Sequence, residues 1–150
     1  MGSRLNSEKD SFYAYLSGFL DGDGCIAIKF EKSETNRLGF RARVRVSFTQ
    51  HKSRRKILDF MQRKIGSGVV TEYRHNNMSE YVINDQKVIE NLLDKIEPYV
   101  FVKTKQLALA KKLLFLKKDG YNHASIEKMH SLWKMMGSLN NYPKESSLTP

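Results

Sequence analysis

The sequence predicts an α+β fold whose elements run αββαββααα. Three observations lead there. Apolar residues recur at helical spacing in five stretches, two segments near the N-terminus switch to strict alternation, and turn residues separate every stretch. The length of 150 residues, with 40% hydrophobic content, suits one compact domain with a single core.

The first helix is expected from Lys9 to Asp21, where Phe12, Tyr15, Leu16, Phe19 and Leu20 share a face and Gly22-Asp23-Gly24 stops it. A strand follows, with Ile26, Ile28 and Phe30 on one side and Cys25, Ala27, Lys29 and Glu31 on the other. Residues from Ser33 to Gly39 supply a turn. The next strand alternates most clearly, Ala42, Val44, Val46 and Phe48 against Arg41, Arg43, Arg45, Ser47 and Thr49. A second helix is expected from Ser53 to Ile65, with Gly66 as its stop. A second hairpin reads as Gly68 to Arg74 and Glu80 to Ile83. Three helices close the domain, over Asp85 to Ile96, Lys103 to Lys117 and Ser125 to Met136. Four strands so patterned form one antiparallel sheet, its apolar face under helices and its basic face open.

Residues 1–8 are polar and aperiodic and read as disordered. The domain spans 9–137, and 138–150 reads as a polar tail holding two of the three prolines. No stretch approaches the roughly 18 consecutive apolar residues of a membrane span, and no signal-peptide core is visible. One cysteine, Cys25, excludes an intramolecular disulfide and a Cys-based zinc cage. Lys and Arg number 26 against 16 Asp and Glu, a net charge of +10. Self-repulsion of that size calls for an anionic partner: DNA, RNA or an acidic membrane. Three arginines in five residues on one strand face, with no acid among them, favour nucleic acid, since a two-stranded ribbon fits the major groove.

The densest signal is Leu16-Ser17-Gly18-Phe19-Leu20-Asp21-Gly22-Asp23-Gly24. Gly18 and Gly22 lie four apart on one helix face, where the lack of side chains lets two helix backbones approach closely. Glycine inside a helix costs about 1 kcal/mol relative to alanine, so close packing supplies a reason for it. Asp21 and Asp23 gather negative charge where the helix dipole disfavours it, a conflict that a bound cation relieves. Taken alone, Asp-Gly-Asp-Gly is an ordinary helix-terminating turn.

The whole nonapeptide closely resembles the signature of the LAGLIDADG homing endonucleases, and the resemblance extends over most of the chain. It implies an αββαββα core with trailing C-terminal helices and a saddle-shaped four-stranded sheet. With one motif in 150 residues, the chain is similar to the homodimeric type, which hydrolyses double-stranded DNA at a long, roughly palindromic target. No membrane or small-molecule substrate is implied. A nuclease-inactive binder on the same fold, such as an intron RNA maturase, is the alternative. Family members of this type are often encoded in organelle (chloroplast or mitochondrion) or archaeal introns, which implies an intracellular site of action.

The resemblance also implies roles for residues. Asp23, with the carbonyl of Gly22, is the implied ligand of Mg²⁺; Mn²⁺ is expected to substitute, and Ca²⁺ to support binding without cleavage. Gln50 matches a polar residue that helps order the attacking water. By strict alternation, though, it falls on the parity of Val46 and Phe48. Either the strand bends or bulges before it, the favoured reading, or Gln50 points elsewhere. Lys103 and Arg54 match basic residues near the scissile phosphate, although surface cations of this kind are usually only solvated. Ser17, Gly18, Asp21 and Gly22 are expected at the dimer interface, with Asp21 as a helix-end hydrogen-bond acceptor. Strand parity selects the groove-facing set: Ala27, Lys29, Glu31, Ser33, Arg41, Arg43, Arg45 and Ser47, then Thr71, Tyr73, Glu80 and Val82.

Overall fold

A computed structural model describes residues 4–35 and 37–141. Helix α1 (Arg4–Asp23) leads directly into the hairpin of β1 (Gly24–Lys32) and β2 (Phe40–His51). A 3-10 turn (Lys52–Arg54) precedes α2 (Lys56–Ile65), and β3 (Val69–Glu72) and β4 (Met78–Ile83) form the second hairpin. Helix α3 (Gln86–Ile96), a 3-10 turn (Glu97–Tyr99), α4 (Thr104–Lys117) and α5 (His123–Asn140) complete the chain. The four strands form one antiparallel sheet in the order β1-β2-β4-β3. This is the α+β order expected from the periodicity.

Local chemistry sets the element ends. The Asp85 carboxylate caps α3 by accepting from the N–H groups of Lys87 and Val88. Gly66, in the left-handed region at φ +80°, ends α2 with its N–H on the Gln62 carbonyl. Asn122 and Ser125 form a reciprocal cap at the start of α5. Inward-facing Ile26, Val44, Val46, Phe48, Tyr81 and Ile83 meet Leu16 and Leu20 of α1, Leu93 and Ile96 of α3, and Leu113 and Met129 of the last helices. One sheet face is thereby buried and the other left open.

Several boundaries differ from the periodicity. Helix α1 begins at Arg4, not Lys9, so residues 4–8 of the segment read as disordered are helical; residues 1–3 lie outside the described residues. The helix expected from Ser53 is split, because the His51 ring accepts from the Ser53 N–H and closes a separate 3-10 turn first. Helix α5 runs past Met136 to Asn140, whose side-chain amide donates to the Ile26 carbonyl at 2.8 Å and ties the helix end to β1. The expected tail therefore starts later, and 142–150 lie outside the described residues.

Gly24 makes the joint between α1 and β1 possible. A Cβ there would lie 2.6 Å from Leu20 Cδ1, 2.7 Å from Leu20 Cα and 2.9 Å from the Leu20 carbonyl oxygen. Two of those atoms are backbone and cannot swing aside. Gly24→Ala should therefore lower stability by about 1–3 kcal/mol, the usual range for overpacking. A urea unfolding midpoint equal to that of the parent would show that the joint relaxes freely.

Candidate active site and nucleic-acid interface

At the C-terminal end of α1, Asp23 is exposed and its carboxylate meets Gln50 of β2. Gln50 Nε2 donates to Asp23 Oδ2 at 3.2 Å, and Arg54 Nε donates to Gln50 Oε1 at 2.8 Å. A guanidinium can only donate, so it fixes the amide with its oxygen toward Arg54 and its NH₂ toward Asp23. Thr49 Oγ1 donates to the Asp23 carbonyl at 3.1 Å.

Of the bend or bulge expected before Gln50, the register excludes the bulge. Residues of β2 and β4 pair one to one from Val46–Ile83 to His51–Met78. Gln50 stays on the parity of Phe48, and β1 ends opposite Phe48 at Gly24. Beyond that point the end of α1 lies against β2, and both Thr49 and Gln50, of opposite parity, reach Asp23.

Asp21 has a different task from Asp23. Its Oδ2 accepts from the Phe101 N–H at 2.8 Å and its Oδ1 from the Lys103 N–H at 3.1 Å, while Lys103 Nζ donates to the Asp21 carbonyl at 3.1 Å. A carboxylate disfavoured by its own helix dipole is thus offset by two peptide N–H groups and an ammonium at the same helix end. Asp21 is the helix-end acceptor expected of it, with donors from its own chain. Lys103 joins the site through Asp21 and makes no direct bond to Asp23. Adjacent Arg55 is turned away onto Glu72 and Asp59, so of these two arginines it is Arg54 that bonds Gln50.

The site residues differ in their surroundings. Ser17 is fully buried and donates to the Tyr13 carbonyl at 2.7 Å and the Ile96 carbonyl at 3.2 Å, so it packs α1 onto α3 and is not a surface contact. Gly18 and Gly22 are exposed, and a Cβ on either meets nothing within 4 Å. Nothing inside one chain requires them to be glycine. In the last turn, Lys103 and Thr49 take the carbonyls of Asp21 and Asp23, while no described side chain takes the Gly22 carbonyl between them.

The open sheet face carries the parity-selected set, with one correction. Ser47 is 9% exposed, covered between its register neighbours Cys25 and Val82, and is not an open contact. The arginines are not free of acids. Arg43 donates to Glu31 Oε1 at 2.9 Å, Arg41 lies 3.6 Å from Glu31 Oε2, and Arg45 donates to Glu80 Oε1 at 3.2 Å. Tyr73 donates to the same Glu80 oxygen, which raises the phenol above its usual range. The hydrogen bond from Arg43 holds the Glu31 carboxyl below the usual range. Ala27 and Lys29 pair with Arg45 and Arg43, Thr71 with Glu80, and Ser33 closes the hairpin turn through its N–H to the Gly39 carbonyl. Burial pushes the Cys25 thiol up despite nearby Lys103, Arg45 and Lys29, so it is no reactive thiolate.

Sequence reasoning missed Thr49 and the His51–Ser53 pair. His51 Nδ1 lies 2.8 Å from Ser53 Oγ and accepts from the Ser53 N–H at 3.1 Å, shaping the turn that returns Arg54 to Gln50. The available signal was local: a ring acceptor two residues before a serine at a helix start.

The model of the LAGLIDADG endonuclease family matches residues 16–114. The chain is 30% identical over 114 residues to the DNA endonuclease I-CreI of Chlamydomonas reinhardtii, covering 76% of this chain and 67% of that one. It is 31% identical over 102 residues to I-CvuI of Chlorella vulgaris, covering 68% and 63%. The crystal structure of the homing endonuclease I-CvuI with its target and Ca superposes with a TM-score of 0.83 at 26% identity, over 93% of this chain and 88% of that one. The homing endonuclease I-TnaI shares the fold at a TM-score of 0.77 and 19% identity, over 90% and 92%.

The hold of Asp21 on the 101–103 segment yields a test. Asp21→Ala leaves two peptide N–H groups without their acceptor and should cost about 1.5–3 kcal/mol, the range for hydrogen bonds to charged groups. Thermal unfolding of the variant measures it, and an unchanged melting temperature would mean that the segment is held by packing alone.

Proposed function

The chain belongs to the LAGLIDADG endonuclease family, and on that premise we propose that it is a site-specific double-stranded DNA endonuclease acting as a homodimer with divalent metal. One observation carries the reading: the Arg54–Gln50–Asp23 chain of hydrogen bonds ends on an exposed carboxylate beside the unclaimed Gly22 carbonyl. A protein that only bound nucleic acid would have no use for that relay.

The donor set fits a hard cation. Among the described residues no group of three or more His, Cys, Asp or Glu side chains could hold a metal, so the chain offers a single carboxylate and a carbonyl. Mg²⁺ is held in this way, by one or two carboxylates together with waters and phosphate oxygens. Asp23 and Gly22 would hold it, with Mn²⁺ as a substitute and Ca²⁺ supporting binding only. When bound, the ion supplies Lewis acidity at the phosphate and lowers the pKa of water.

The chain's own residues do the rest. Arg54 locks the Gln50 amide so that an N–H remains to orient a water beside Asp23. The Lys103 ammonium, placed by Asp21, stabilises negative charge developing on the phosphate. Exposed Gly18 and Gly22 give a second α1 a close approach, bringing two such sites to one duplex and implying a roughly palindromic target.

Asp23→Asn keeps the shape and removes the charge that holds the ion. The variant should retard a duplex recovered from library cleavage as well as the parent does, yet yield no product in Mg²⁺ or Mn²⁺. Cleavage near the parental rate would overturn the assignment of Asp23. Gly18→Leu should abolish dimerisation and cleavage together; a fully active dimer in sedimentation at micromolar concentration would contradict the α1 interface.

A further inference from the structure

The arginine face contains an electrostatic contradiction. A surface built only for affinity to a polyanion would carry cations alone, yet two carboxylates stand on this one. Glu31 faces Arg41 across the β1–β2 pair and also takes Arg43 on its other oxygen. Glu80 takes Arg45 and the Tyr73 hydroxyl on one oxygen, and its side chain is only 15% exposed. Every arginine of the central strand is thus tied to an acid of a neighbouring strand.

We propose that Glu31 and Glu80 are positioning residues that set sequence discrimination, holding Arg41, Arg43 and Arg45 toward base edges and withholding them from indiscriminate phosphate contact. The inference rests on the reading that this face binds duplex DNA. An untethered arginine reaches whichever phosphate is nearest, and that contact strengthens binding to every sequence alike. A tethered one presents its fork in a fixed orientation, which rewards only the base that matches it. Denying the guanidinium groups to phosphates weakens the complexes in which no base matches them, and that widens the gap to the right one.

The test compares the parent with Glu31→Gln, Glu80→Gln and the double variant in Ca²⁺. The probes are a duplex recovered from the parent's cleavage of a random library and a scrambled duplex of equal length. The double variant should bind the scrambled duplex roughly tenfold tighter and the recovered duplex little differently, so that discrimination falls about tenfold, the scale of one base contact. Its slope of log K against log salt on the scrambled duplex should steepen by about 0.9 for each guanidinium released to a phosphate. In an Arg41→Gln, Arg43→Gln background, Glu31→Gln should leave discrimination unchanged, an outcome that a merely structural carboxylate would not give. Unchanged discrimination, or equal loss on both duplexes, overturns the inference. A parent that prefers no duplex overturns the endonuclease reading and this inference with it, whereas a discriminating parent beside equally discriminating variants overturns the inference alone.

Discussion

Two carboxylates crowd the last turn of α1, where the exposed carbonyls make negative charge unwelcome, and the rest of the site is arranged around that conflict. Asp21 is satisfied inside the chain by the peptide N–H groups of Phe101 and Lys103, which dock the start of α4 against the motif helix. Asp23 has one oxygen held by Gln50 and projects into solvent. The first acid organises the scaffold, and the second stays open to solvent. Segments about 80 residues apart in the chain, at 21 and 101–103, meet for this reason.

The sheet meets the opposite problem, an excess of positive charge on one strand. Cross-strand pairing places Glu31 and Glu80 beside the arginines, so the face is a lattice of oriented ion pairs and not a uniform cationic field. The solvent-facing pairs on Glu31 contribute little to stability, about 0–1 kcal/mol each. Their weight lies in fixing where the guanidinium groups point.

Period-two alternation in β1 and β2, and helical stripes elsewhere, carried the architecture because both report one buried side of each element, which is a local property. Gly66 and Asp85 marked element ends for equally local reasons. Boundaries failed where a tertiary contact extended or interrupted an element. Asn140 bonded to Ile26 lengthens α5, and the His51 ring divides the turn before α2.

The sequence by itself determined which residues could carry the site, since the nonapeptide ending in Asp23-Gly24, together with Gln50, Arg54 and Lys103, is written in the chain. What joins them was decided by the tertiary structure. Strand parity put Gln50 on the apolar side, and only the packing of the end of α1 against β2, where β1 begins opposite Phe48, brought it to an exposed carboxylate. Ser17 looked like a small surface residue beside Gly18 until α3 covered it. Strand parity placed Glu31 and Glu80 on the same face as the arginines but could not say which arginine each would take. Alternation along one strand records which way a side chain points, but its charge partner is set by register between strands, and register is a property of the assembled sheet.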